Sequence, residues 1–211
     1  MEIQFLGHSS FRIKSSTATV VTDPFADSIG IKFPKVTADI VTVSHQHSDH
    51  NNTKAVQDVK RVVEGPGEYE VQGISILGFD SYHDDKKGEK RGKNTIYVIE
   101  IEDFRICHLG DLGHELSDKL MGEMGEIDVL MVPVGGVYTI DAAKAAEVAR
   151  KIDPSIFIPM HYQVSGLDPK TFGELGDTKE FVKVLGYEPE DVTKLNIKKS
   201  TMGEEKRLLI F

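Results

Sequence analysis

The stretch Ser44-His45-Gln46-His47-Ser48-Asp49-His50-Asn51 limits what this chain can become more tightly than any other segment. Three imidazoles and a carboxylate follow directly on the apolar, strand-like run Ile40-Val41-Thr42-Val43. Imidazoles packed this densely repel one another on protonation and are costly to bury unpaired, so packing is a poor reason for them. A metal site accounts for them simply. Where a strand ends, His45 and His47 leave the backbone on one side, while Asp49 and His50 lie in the following turn and can face a second ion. The pattern reads as half of a two-metal centre, so the fold has to bring further ligands from distant parts of the chain.

Three later residues are candidates. His83 ends the run Leu77-Gly78-Phe79-Asp80-Ser81-Tyr82, Asp111 follows Phe104-Arg105-Ile106-Cys107-His108-Leu109-Gly110, and His161 follows Ser155-Ile156-Phe157-Ile158-Pro159-Met160. Any one of them alone reads as a satisfied core or surface residue. All three sit just past strand-like runs, however, so one edge of a sheet sandwich would gather every ligand.

His45-x-His47-x-Asp49-His50, with these three residues in this order, resembles the metallo-β-lactamase superfamily, whose His-x-His-x-Asp-His signature it matches at every position. Four short motifs make the chain more similar to the small hydrolases of the ascorbate-6-phosphate lactonase branch. They are Gly7-His8-Ser9-Ser10-Phe11, Thr22-Asp23-Pro24-Phe25, His108-Leu109-Gly110-Asp111 and Pro159-Met160-His161-Tyr162, and the resemblance runs from about residue 3 to 165. The chain is shorter than the lactonase, and it has no room for the extra domains of the glyoxalase II, flavodiiron or nucleic-acid-processing relatives.

The resemblance implies a metal-dependent hydrolase with an α/β, αββα sandwich as one domain over residues 1–211. It further implies one ion on His45, His47 and His83, a second on Asp49, His50 and His161, and Asp111 bridging the two. Asp49 and Asp111 would be the catalytic carboxylates, orienting a metal-bridged hydroxide that attacks a carbonyl or phosphoryl centre. The imidazole-rich set suits two zinc ions, and the mixed donors also admit manganese, iron or nickel. The substrate would be a small ester, lactone or phosphorylated metabolite. Phosphodiester or nucleic-acid cleavage and a non-catalytic metal-binding module are the alternatives.

Other residues near these motifs are candidates for orienting the ligands or touching substrate. Asp23 ends a strand-like run and, by resemblance, would accept a hydrogen bond from a ligand histidine. His8 is either near the site or structural, and His108 reads as core. His114 is a candidate to touch substrate or donate a proton. Phe25, Ile29, Ile31 and Phe33 read as ordinary packing, with a pocket wall or a homo-oligomer contact as the alternatives. The segment Asp84-Asp85-Lys86-Lys87-Gly88-Glu89-Lys90-Arg91-Gly92-Lys93 reads either as a solvated hairpin tip or as a mobile lid whose Lys86, Lys87, Lys90 or Arg91 grips an anionic substrate.

Composition narrows the field. A formal net charge of −9 argues against a nucleic-acid partner, which needs a basic surface. No apolar run reaches membrane-span length, and Met1-Glu2-Ile3-Gln4-Phe5-Leu6 enters a strand without a basic, then apolar leader, so a cytoplasmic location is expected. The single cysteine, Cys107, reads as a buried small hydrophobe. Strands are expected at 2–6, 10–14, 18–22, 39–44, 60–64, 69–72, 74–82, 95–102, 104–109, 127–133, 155–159, 192–197 and 206–211. Helices are expected through Leu116, Leu120 and Met124, through Ala142 to Ile152 with Asp153-Pro154 as the stop, over 178–186, and near 52–59 with its amino end toward the metal loop.

Overall fold

The computed structural model describes residues 1–203 and 205–211. In chain order the strands are β1 (Glu2–Gly7), β2 (Ser10–Lys14), β3 (Thr19–Thr22), β4 (Val36–Thr37), β5 (Ile40–Val43), β6 (Val56–Gln57), β7 (Arg61–Glu64) and β8 (Gly67–Val71). They continue as β9 (Ile74–Tyr82), β10 (Lys93–Ile101), β11 (Phe104–His108), β12 (Val129–Pro133), β13 (Ile156–Met160), β14 (Pro189–Asp191), β15 (Leu195–Asn196) and β16 (Arg207–Ile210). The helices are α1 (Asp118–Met124), α2 (Ala142–Ile152), α3 (Pro169–Phe172) and α4 (Lys179–Leu185).

Two sheets form the sandwich, one in the order β15-β1-β2-β3-β5-β7 and the other in the order β14-β16-β13-β12-β11-β10-β9-β8. Between them Ile3, Phe11, Ile13 and Ile40 of the first meet Ile76, Ile99, Ile106 and Ile158 of the second. The second sheet is buried on both faces. Ile96, Val98, Leu130, Val132 and Phe157 point away from the sandwich core and pack beneath Ala145, Ala146 and Ala149 of α2 and Phe181 and Leu185 of α4. Double burial explains why β12 and β13 read as unbroken apolar runs rather than as alternating ones.

The outer face of the first sheet is covered differently. Val21, Val41 and Val43 lie under Ala38, Val56 and Phe33, with the two-stranded β4–β6 ladder across them. The helix expected near 52–59 does not form. A single 3-10 turn at Thr53–Ala55 leads into β6, where Val56 pairs with Val36. Asn51, Asn52 and Thr53 favour local side-chain bonds over helix continuation, and the buried Val56 finds its partner across a ladder. No helix end therefore faces the metal loop from this segment.

The remaining helices follow the sequence closely. Asp141 caps α2 by accepting from Lys144 N at 2.8 Å, and Asp153 ends it in the left-handed region before Pro154. Ser117, which the sequence reading did not identify as a cap, does the same for α1 at Leu120 N. The expected strand 192–197 shortens to Leu195–Asn196, and β14 is an addition at the sheet margin.

Strand direction decides where the chemistry gathers. β1 and β3 are each antiparallel to β2, and β5 is parallel to β3. β9 and β11 are each antiparallel to β10, and β12 and β13 run parallel to β11. The carboxyl ends of β1, β3, β5, β9, β11 and β13 thus share one edge, the position where strand-end loops of α/β folds bind ligands.

Candidate metal centre

Six of the strands ending at that edge lead into polar residues. His8 follows β1, Asp23 follows β3, Ser44 and His45 follow β5, His83 follows β9, Asp111 lies beyond β11, and His161 follows β13. His8, Asp23 and His161 adopt φ of 54°, 40° and 53°, a left-handed backbone costing of order 1–3 kcal/mol for such residues, which the surrounding fold has to hold in place.

Two groups of donors result. Ligand atoms of His45, His47 and His83 lie within 4.8 Å of one another, as do those of His8, Asp49, His50 and His161. Asp111 stands between the groups. Its Oδ2 is 3.1 Å from His83 Nε2 and 3.1 Å from His161 Nε2, and its Oδ1 is 3.3 Å from His50 Nε2. All seven residues taken from the motif and its three distant partners are brought together, and His8 joins the second group with Nε2 3.3 Å from Asp49 Oδ2.

A hydrogen-bond chain fixes the ring orientations. His50 Nδ1 donates to Asp23 Oδ2 at 2.8 Å, Ser44 Oγ donates to the same oxygen at 2.5 Å, and His45 Nδ1 lies 2.9 Å from Ser44 Oγ. Since the serine hydroxyl already donates to the carboxylate, it accepts from His45. Both imidazoles are thereby oriented with Nε2 aimed into the centre. Asp23 is fully buried and also accepts Ser44 N at 2.7 Å. Asp111 is held from behind by Asn94, whose Oδ1 accepts Asp111 N at 3.0 Å while its amide donates to Leu109 O and Ser81 Oγ. Gly110 makes that approach possible, because at φ 56° an added Cβ would run into Asn94 Oδ1 and stand 2.7 Å from Ser44 Cβ.

Ser44 and Asn94 were not legible as site residues. A serine before a histidine carries no signature, and Asn94 lies inside a strand, seventeen residues before the Asp111 it holds. Tyr97 is a third such residue, its phenol crossing the core to donate to Val43 O at 3.0 Å and so tying the end of β5 to the second sheet.

The electrostatics suit cation binding. Burial pushes His45 down to about 3 and, with the neighbouring His161, His8 down to about 4, so both are neutral lone-pair donors. Burial also lowers His47, the most exposed of the set. His50 is the exception, since Asp111 and Asp49 outweigh burial and raise it. Burial opposes ionisation of Asp111, yet His161 and His50 hold it well below the usual carboxylate range, and His50 does the same for Asp49. His45 Nε2, His50 Nε2, His161 Nε2 and Asp111 Oδ1 are buried with no hydrogen-bond partner among the described residues. A buried polar atom left so costs about 1–3 kcal/mol, and cations bound by the two groups would remove the cost.

The other expected residues go elsewhere. His114 Nε2 accepts Tyr82 N at 3.1 Å and its Nδ1 donates to Glu115 O at 2.7 Å, so neither nitrogen is left for substrate. His108 is buried, as expected, and donates to Ser9 O at 2.8 Å across the sandwich. Phe25 and Ile29 pack with Leu167, Phe172 and Leu175, and Ile29 and Phe172 form the apolar wall of a pocket of about 440 Å³ above the centre. His47, Asp49, His83 and Asp111 form its floor.

A family model described as a beta-lactamase superfamily domain matches residues 2–161. A protein of the metallo-β-lactamase superfamily from Thermotoga maritima is 38% identical, with a TM-score of 0.80 over 99% of this chain and 97% of its own. A metal-dependent hydrolase from Methanopyrus kandleri is 29% identical over 224 residues, covering 91% of this chain and 96% of itself. A metallo hydrolase from Ignicoccus hospitalis has the same fold at a TM-score of 0.66 and 21% identity, covering 88% of this chain and 90% of its own. With its motif, its six converging strand ends and these likenesses, the chain belongs to the β-lactamase superfamily, as a metal-dependent hydrolase of the metallo-β-lactamase type.

Proposed function

We propose that this chain hydrolyses a small-molecule ester, lactone or phosphorylated metabolite at a dinuclear metal centre. One observation carries the reading: the buried, partnerless Nε2 atoms of His45, His50 and His161 gather with Asp111 Oδ1, and Asp111 itself lies in the floor of an open pocket. His45, His47 and His83 would hold one ion, Asp49, His50 and His161 the other, and Asp111 would serve both. The donor set fits zinc best, and its carboxylates also admit manganese, iron or nickel. Bound there, divalent ions lower the pKa of a shared water and polarise the oxygen of the bond under attack.

The chain's own residues supply orientation. Asp49 keeps 18% of its side chain accessible from the pocket, and with Asp111 it accepts hydrogen bonds from the attacking water and aims it. Asp23 and Ser44 hold the ligand rings against rotation, so no reorganisation is needed when charge develops. A pocket of about 440 Å³ is room for a small molecule, whereas a purely structural metal site is closed.

The test is a panel of lactones, carboxylic esters, phosphomonoesters and phosphodiesters presented to zinc- and manganese-loaded protein, with metal content measured in parallel. Hydrolysis of at least one class should disappear with a chelator and in Asp111→Ala, while the fold of that variant persists by circular dichroism. Loaded protein with no metal above background, or Asp111→Ala with full activity and metal content, overturns the proposal.

A further inference from the structure

The loop between β9 and β10 is built around one carboxylate. Asp84 Oδ1 accepts Lys86 N at 2.8 Å and Gly88 N at 2.9 Å, and Oδ2 accepts Lys90 N at 2.9 Å and Arg91 N at 2.8 Å. Four backbone donors on one side chain fold the segment into a compact turn, closed further by Gly92 N donating to Gly88 O. Lys87 and Gly88 take left-handed φ of 56° and 84° to make it. The segment is thus a shaped hairpin loop, which answers the choice between solvated tip and lid with a third arrangement.

The shape has a direction. Lys90 and Arg91 line the pocket over the candidate metal centre, on the rim it shares with Tyr138 and Thr171. Lys86 instead sits beside Asp85 at 3.8 Å. The Arg91 guanidinium lies 5.5 Å from the Tyr138 ring centroid and donates through Nη2 to Val137 O at 3.0 Å. Val137 is β-branched and yet held at φ 58° with its side chain exposed, a strained backbone whose carbonyl orients this arginine. Neither Lys90 nor Arg91 has an ion-pair partner among the described residues, in a chain of net charge −9 where acidic groups are plentiful. Two unneutralised cations, one braced on an aromatic ring and a carbonyl, face the same space as the reacting groups.

From this geometry we infer that Lys90 and Arg91 form an anion subsite of the active pocket, so the substrate carries a carboxylate or phosphate group separate from the bond that is cleaved. The placement of that bond rests on the hydrolase reading; the subsite itself rests on the loop. Arg91 still has free N–H donors for two oxygens of such a group, and Lys90 adds a point charge beside it. Asp84 holds the backbone of both residues in place before binding, so the loop itself needs no further ordering.

The experiment is a calorimetric titration of zinc-loaded protein with succinate and with glycerol 3-phosphate, neither of which requires turnover. In Lys90→Gln/Arg91→Gln the affinity for at least one probe should fall tenfold or more and lose most of its salt dependence, with zinc content unchanged. Loss confined to succinate assigns the subsite to carboxylates, and loss confined to glycerol 3-phosphate assigns it to phosphates. Asp84→Asn, which keeps both cations and loosens the loop, should weaken the same probe. Lys90→Gln alone, at an exposed position, serves if the double variant does not fold. Equal affinities for both probes in the wild type and in Lys90→Gln/Arg91→Gln, or in Lys90→Gln where only that variant folds, overturn the inference, since any binding that remains is to the metal. Failure to hydrolyse any class of the lactone, ester and phosphoester panel, with the titration difference intact, defeats the proposed reaction and leaves the subsite standing.

Discussion

Ser44 carries more of the candidate centre than its place in the sequence suggests. Its hydroxyl is the link between His45 and Asp23, and therefore between the two groups of ligands. Ser44→Ala leaves His45 free to flip its ring and deprives Asp23 of a donor. Partners of this kind are worth about 10–100-fold in metal affinity, so the variant should bind its zinc at least tenfold more weakly in competition with a chromophoric chelator. An unchanged dissociation constant would show that the ring is held by packing alone. Asp23 was legible because an Asp-Pro pair closing an apolar run stands out. Ser44 was not, since its partner Asp23 follows another strand and only β3 beside β5 makes them neighbours.

At the scale of elements, local signals decided most boundaries and missed those set by neighbours. α1 was located by its apolar spacing and its Gly125 end, while Ser117, the true cap, hid among polar residues. Ser117→Ala should cost about 1 kcal/mol, read as a lower urea midpoint with unchanged slope. An identical midpoint would mean the first turn is held by packing instead. β14 tells the opposite story: three exposed residues with no strand pattern are added to the margin of the sheet by pairing with β16. Arg207 binds Glu190 there in bidentate fashion, at 2.8 and 2.6 Å, and this lowers the carboxyl from its ordinary 4.5. A carboxylate with a depressed folded-state value stabilises above its unfolded value and loses that contribution as pH falls. Glu190→Gln should therefore weaken the protein slightly at pH 7, about 0.5 kcal/mol for an exposed pair, with the difference from wild type shrinking below pH 4.5. A difference constant from pH 7 to pH 3 would exclude the ion pair as its source.

The whole molecule should couple metal to stability, because the candidate ligands come from four separate chain segments that only the folded sandwich assembles. An ion present at a hundredfold its dissociation constant contributes about 2.7 kcal/mol, and each kcal/mol moves the melting point of a chain this size by roughly 2–4 °C. Chelation should thus lower the melting temperature by at least about 5 °C, and re-addition of zinc should restore it. A melting curve indifferent to both treatments would mean the folded and unfolded chains bind metal equally. Among the described residues no helix is long and apolar enough to cross a membrane. What the sequence determined by itself was the chemistry and the period: a dense ligand motif, three further donors past strand-like runs, and apolar patterns that marked most of the strands and three of the four helices. Those are local properties, written in residue type and spacing. Only the tertiary structure decided that His8 stands beside Asp49, that Ser44 and Asn94 hold the ligands, that β4 and β6 rather than a helix cover the first sheet, and that Lys90 and Arg91 overhang the pocket. Each of these depends on which strands lie side by side and in which direction, a choice made by burying two sheet faces against each other rather than by any single stretch of chain.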